Sequence, residues 1–157
     1  MEKREILNEI SLGEAVIVCI GTDKVMADSL GPLVGTMLES FDMGLCVYGT
    51  LDSPVHALNL ESVLDEINEL YPNSNILAID ACVGEEKGKV VCRVGSIRPG
   101  AGVDKELPSV GTYSIVCVTA RSKQEVSSKD VRLSFIYNKA MEIADVIREE
   151  YIIQLLK

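Results

Sequence analysis

The sequence predicts an α/β fold, a three-layer α/β/α sandwich around a mostly parallel central sheet, and three observations carry that expectation. Two short, uninterrupted apolar runs, at residues 15–20 and 76–79, have the length and Val/Ile content of strands buried on both faces, as in parallel sheets. Between the strand-like runs, apolar residues recur at helical spacing. The resulting β-α-β-α-β order needs crossover connections, which are right-handed in such sheets. At 157 residues the chain is expected to form one domain, residues 1–157, large enough to bury its own core.

The elements follow in order. Residues 1–12 read as an N-terminal arm or short amphipathic helix, and residues 16–20 as the first strand. Leu30, Val34, Met37, Leu38 and Phe41 mark a helix that begins between Asp28 and Pro32, because proline is tolerated only in a first turn. Gly44 turns the chain into a second strand at 45–48. Leu60, Val63, Leu64, Ile67, Leu70 and Tyr71 form the stripe of a second helix, ended by Pro72-Asn-Ser-Asn75, and the third strand follows at 76–79. A turn at 84–88 then leads to residues 89–94, expected as an antiparallel neighbour or hairpin strand. Residues 98–108 are a Gly/Pro-rich loop, in which Pro99-Gly-Ala-Gly102 fits a surface turn or an anion-holding nest of backbone N–H groups. A strand at 113–119 comes next. From about residue 128, Leu133, Ile136, Ala140, Ile143, Ile147 and Tyr151 trace a long final helix.

Composition removes several functional classes. A net charge of -9 without any Lys/Arg cluster argues against a nucleic-acid surface. The charged N-terminus offers no signal region and no run approaches a membrane span, so the expected location is the cytoplasm, with no membrane partner. Five scattered cysteines, Cys19, Cys46, Cys82, Cys92 and Cys117, lack any Cys-x-x-Cys spacing and read as reduced core thiols. The dinucleotide fingerprint, the phosphate-binding loop and the Gly-x-Ser-x-Gly elbow are all missing, and no cofactor is expected.

Two aspartates at strand ends concentrate the chemistry. Asp28 follows the first strand and Asp80 closes the third, and in open α/β sheets the ligand crevice lies outside the carboxyl ends of the strands. Asp28 also fits a helix N-cap, a position that favours the ionised carboxylate and makes it the lower-pKa member of a pair. Asp80 follows an apolar strand, so desolvation and an ionised Asp28 should both raise its pKa; a structural strand-end role is the alternative. Carboxyls pushed apart in this way can divide acid and base duties. His56, the sole histidine, lies after the second strand and reads either as structural or as a proton carrier or metal ligand beside Asp28, Asp52 or Asp80. Thr22, Asp23, Ser29, Asp52 and His56 are the supporting or substrate-binding candidates, with the hydroxyls of Thr22 and Ser29 suited to orienting a water.

Six segments together resemble a known family: Ile20-Gly-Thr-Asp23, Asp28-Ser-Leu-Gly-Pro-Leu-Val-Gly35, Tyr48-Gly-Thr-Leu-Asp52, Pro54-Val-His-Ala57, Ala78-Ile-Asp-Ala-Cys82 and Pro99-Gly-Ala-Gly-Val103. Across about residues 14–118 they look like the YyaC-type sporulation proteins of spore-forming Firmicutes. That family is similar to the spore germination protease and, more distantly, to hydrogenase-maturation endopeptidases. The resemblance implies their fold, with Asp28 and Asp80 as the first and second catalytic aspartates. The chain departs from its relatives at Lys24-Val-Met-Ala27 and over 119–128, and no histidine follows His56, which speaks against nickel-directed processing. The expected function is a sporulation-associated peptidase, a hydrolase of the germination-protease type, acting in the cytoplasm of the forespore or spore interior on a protein or peptide. A non-enzymatic sporulation binding protein of the same fold is one alternative; a metal-dependent hydrolase using Asp28, His56 and Asp80 is another. Homo-oligomer formation is left open.

Overall fold

Five strands form one sheet in the computed structural model, which describes residues 3–99 and 107–157. The strands are β1 (Val16–Cys19), β2 (Cys46–Tyr48), β3 (Ile76–Val83), β4 (Val90–Val94) and β5 (Tyr113–Ala120), in the order β2-β1-β3-β5-β4. β2, β1, β3 and β5 run parallel, and β4 closes one edge antiparallel to β5. The expected antiparallel strand at residues 89–94 is therefore present, paired with a strand that comes later in the chain.

Helices α1 (Lys3–Leu7), α2 (Leu30–Ser40) and α5 (Leu133–Leu155) cover one face, and α3 (Leu60–Leu70) covers the other. Side chains alternate across a strand. Ile17, Cys19, Leu77 and Ile79 thus pack into the cluster with Leu30, Val34 and Leu38 of α2 and Ile136, Ile143 and Ile147 of α5. Val16, Val18 and Ala78 meet Leu60 and Ile67 of α3 on the opposite side. From β1 the chain crosses through α2 to β2 on one side, then through α3 to β3 on the other. Right-handed crossovers in opposite directions put their helices on opposite faces, and the order reverses between β1 and β3.

Several boundaries differ from the sequence expectation. β3 runs on to Val83, so Asp80 lies inside a strand rather than at its end. β3 is paired with β1 only as far as Cys19–Ile79, however, while its pairing with β5 reaches Val83. Asp80 is thus the first residue beyond the end of β1. A short helix α4 (Lys123–Val126), capped by the Ser122 hydroxyl on the Glu125 N–H, was not foreseen. Most of the expected helical stripes are buried or partly buried, including Leu30, Leu60 and Tyr151 near helix ends, while Leu70, Tyr71 and Leu133 are exposed.

None of the five cysteines is in a disulfide, and one lies on each strand; Cys19, Cys92 and Cys117 are buried and Cys46 and Cys82 partly so. The anion-nest reading of the loop falls on Gly100, Ala101 and Gly102, outside the described residues. Among the described residues, no helix is long and apolar enough to cross a membrane.

Candidate active site

The segment after β1 is built around close backbone approaches. Gly21 has φ 147° and donates its N–H to the Val55 carbonyl. A Cβ there would lie 2.1 Å from the Asp28 carbonyl oxygen, and a Cβ on Gly31 would lie 2.1 Å from that of Ile20. Only glycines let the returning chain press this closely on the strand end. The Thr22 N–H donates to the Asp28 carbonyl at 3.0 Å, closing the loop. Asp28 itself ends a 3-10 turn, Met26–Asp28, which the Ser29 hydroxyl ties off by donating to the Met26 carbonyl at 2.6 Å.

This geometry corrects the N-cap reading of Asp28. The residue preceding α2 is Ser29, in helical conformation and without a side-chain cap. The Asp28 carboxyl is pushed up to about 6 by burial, with a backbone N–H of Thr22 pulling it the other way. Asp80 is 7% exposed and accepts the Ala81 N–H at Oδ1, 2.8 Å away. Its pKa lies well above the ordinary carboxyl value, first because of burial and second because of the negative charge of Asp28, against the Ala81 N–H. The expected order of the pair stands, with Asp28 the stronger acid. Its cause is different: Asp28 is raised, only less than Asp80. Two carboxyls that feel each other in this way titrate as a unit.

Asp28, Asp80 and His56 line one cavity of about 170 Å³ over the carboxyl ends of β1 and β3. His56 is partly buried; its Nδ1 accepts the Leu58 N–H at 3.2 Å and its own N–H donates to Asn59 Oδ1 at 2.8 Å. Thr22, Asp23, Ser29 and Asp52 do not line the cavity. The expected water-orienting hydroxyls are already engaged elsewhere: Ser29 on the Met26 carbonyl, and Thr22 Oγ1 as acceptor for the Lys24 N–H at 3.2 Å. Ser29 still supports the site by fixing the turn that ends at Asp28. Asp23 and Asp52 are exposed. Among the described residues no group of three His, Cys, Asp or Glu is placed to hold a metal ion.

Two cavity residues escaped the sequence reading. Thr119, buried at the end of β5, donates Oγ1 to the Ala27 carbonyl at 2.7 Å and so ties the Asp28 turn to a third strand. Its place at the carboxyl end of a parallel strand was the available signal. Cys82 lines the cavity two residues beyond Asp80, and burial, then the Asp80 charge, push its thiol up, so it stays protonated near neutral pH.

Fold and cleft together define an α/β protein with two carboxyls in one cleft at the switch point of a mostly parallel sheet. The structure is similar to that of a [NiFe] hydrogenase maturation protease, HycI from Thermococcus kodakarensis KOD1, with a TM-score of 0.67 over 93% of this chain and 98% of that one. At 18% identity this likeness is one of fold. The chain belongs to the family described as "Protein of unknown function (DUF1256)", which it matches over residues 3–147. It is 40% identical over 135 residues to the uncharacterized protein YyaC of Bacillus subtilis (strain 168), covering 83% of this chain and 66% of that protein. The chain thus spans about two thirds of the length of this relative. The resemblance read from the sequence motifs is borne out at the level of family and fold.

Proposed function

We propose that this protein is an aspartate-dependent peptidase in which Asp28 is the base and Asp80 the acid. The observation that carries the reading is the pair itself: two carboxyls in one cleft, both raised by burial, the second raised further by the charge of the first. Environments that separate two carboxyl pKa values in this way suit one group to accept a proton and the other to give one at the same pH. In the proposed step, ionised Asp28 takes a proton from a water whose oxygen attacks the scissile carbonyl carbon. Asp80 delivers its proton to the departing amide nitrogen, the C–N bond breaks, and the proton on Asp28 returns to Asp80 through solvent. Thr119 positions Asp28 through the Ala27 carbonyl. The likeness in fold to a named protease supports hydrolytic chemistry. The proposed setting, the forespore or spore cytoplasm of a sporulating cell, rests on the motif resemblance read from the sequence. The substrate in this reading is a protein or peptide, with neither nucleic acid nor membrane as partner.

The test is cleavage of spore-coat and small spore proteins by the wild type, Asp28→Asn and Asp80→Asn, each with and without chelator. Cleavage by the wild type, retained in chelator and lost in both variants, is expected. Equal cleavage by all three proteins refutes the assignment of the pair. Cleavage abolished by chelator alone refutes the metal-free step.

A further inference from the structure

We propose that the substrate binds as an added strand: an extended peptide pairs with the free edge of β3 next to Asp80 and places one aliphatic side chain in the cavity. This rests on the peptidase reading and names how that site takes its substrate. Among the described residues the sheet has a gap at this point. The last hydrogen bond from this side is the Ile20 N–H on the Ile79 carbonyl at 2.8 Å, while β3 continues to Val83 with β5 as its partner on the other side. The place that a longer β1 would occupy is the cavity. Ile20, Val25 and Ala27 from the loop after β1 stand on one side, and Ala81, Cys82 and Val83 of β3 on the other.

A strand with a vacant edge presents backbone groups to a further strand, the basis of peptide recognition by strand addition. Here the Ala81 N–H is held by the Asp80 carboxylate at 2.8 Å, a hydrogen bond that the carbonyl of an incoming peptide can replace. That exchange would leave a substrate carbonyl beside the acid and free the Asp80 oxygen to face it. The alternation of side chains along an extended peptide then sends every second one toward the cavity.

The cavity defines the side chain. Its walls are mostly aliphatic and include Asp28 and Asp80, so an acidic side chain would face two carboxyls. Its volume of about 170 Å³ compares with the roughly 150 Å³ void that accepts a benzene ring. A Leu, Ile, Val or Met side chain fits this space.

The intact chain is given internally quenched decapeptides with a central Leu in an Ala/Ser background. One matched series replaces that Leu by Asp or Lys, and another moves a single backbone N-methyl group along the peptide. Cleavage beside Leu is expected to exceed that of the replaced peptides by about tenfold, and N-methylation at alternate positions to cost about tenfold, as for one lost hydrogen bond. Cleavage that needs Asp28 and Asp80 but is indifferent to both series overturns strand addition and leaves the peptidase reading standing. If the wild type cleaves nothing, the Leu peptide is titrated while backbone amide NMR shifts are followed. Shifts centred on Ala81, Cys82, Val83 and Val126 then keep strand addition and overturn the peptidase; no shifts at millimolar peptide overturn both.

Discussion

Replacing Asp28 by Asn should abolish cleavage and, at the same time, stabilise the protein at neutral and alkaline pH. The Asn side chain keeps an acceptor for the Thr22 N–H and cannot ionise. In the wild type the folded-state pKa of Asp28 lies at about 6 against an ordinary 3.8. Below pH 3.8 the carboxyl is protonated in both folded and unfolded chains and folding carries no ionisation penalty. As the pH rises toward 6 the unfolded chain releases this proton and the folded chain retains it, so stability falls; above about 6 the loss is complete. The gap between the two values corresponds to a loss on the order of 3 kcal/mol. Asp28→Asn should recover that amount at pH 7.5, a rise in Tm of about 6–12 °C for a chain of this size, and nothing near pH 3.5. Removing the Asp28 charge also relieves Asp80, which adds in the same direction. Urea or thermal unfolding of both proteins between pH 3.5 and 8 measures the effect. A variant that is equally stable or less stable than the wild type across that whole range would refute an Asp28 carboxyl held above its ordinary pKa by burial.

Three further outcomes follow from the same geometry. The pH profile of kcat/KM should rise through about pH 6 as Asp28 ionises, and fall at higher pH when Asp80 loses its proton; a profile flat from pH 5 to 8 would remove Asp28 as the base. Gly31→Ala places a Cβ 2.1 Å from the Ile20 carbonyl oxygen, so α2 must back away from the strand end. A loss of about 1–3 kcal/mol in urea unfolding is expected, together with reduced kcat/KM, and wild-type values for both would contradict the close approach. Thr119→Val removes the donor to the buried Ala27 carbonyl and should cost about 1–3 kcal/mol, with Thr119→Ser recovering most of it in the same unfolding assay. A Ser variant no better than Val would assign the effect to packing.

The pair of aspartates shows how placement and chemistry separate. Strand-end logic puts Asp28 and Asp80 on one rim, and this holds even though β3 continues past Asp80, because its neighbour β1 stops one residue earlier. What the two groups do to each other depends on how much water each has lost. The helix-dipole argument made Asp28 the lower-pKa member of the pair by favouring its ionised form, and missed that burial raises the carboxyl pKa. Thr22 and Ser29 looked like cleft hydroxyls by their place in the chain, but local hydrogen bonds had already claimed them.

Local pattern and chain order were enough to reach the sheet, the crossovers, the apolar centres of the helices and the rim on which the acids stand. Periodicity reports which face of an element is buried, and handedness restricts how such elements connect. The element ends, α4, Thr119 and the vacant edge of β3 were decided by the tertiary structure alone. Each depends on where a neighbouring element stops or what it covers, a relation between residues far apart in the chain. Ala27 and Thr119 are joined by one hydrogen bond across most of the sequence. The raised pKa of Asp80 belongs to the same class: burial and the nearby charge of Asp28 cause it, and both arise only when the chain has folded.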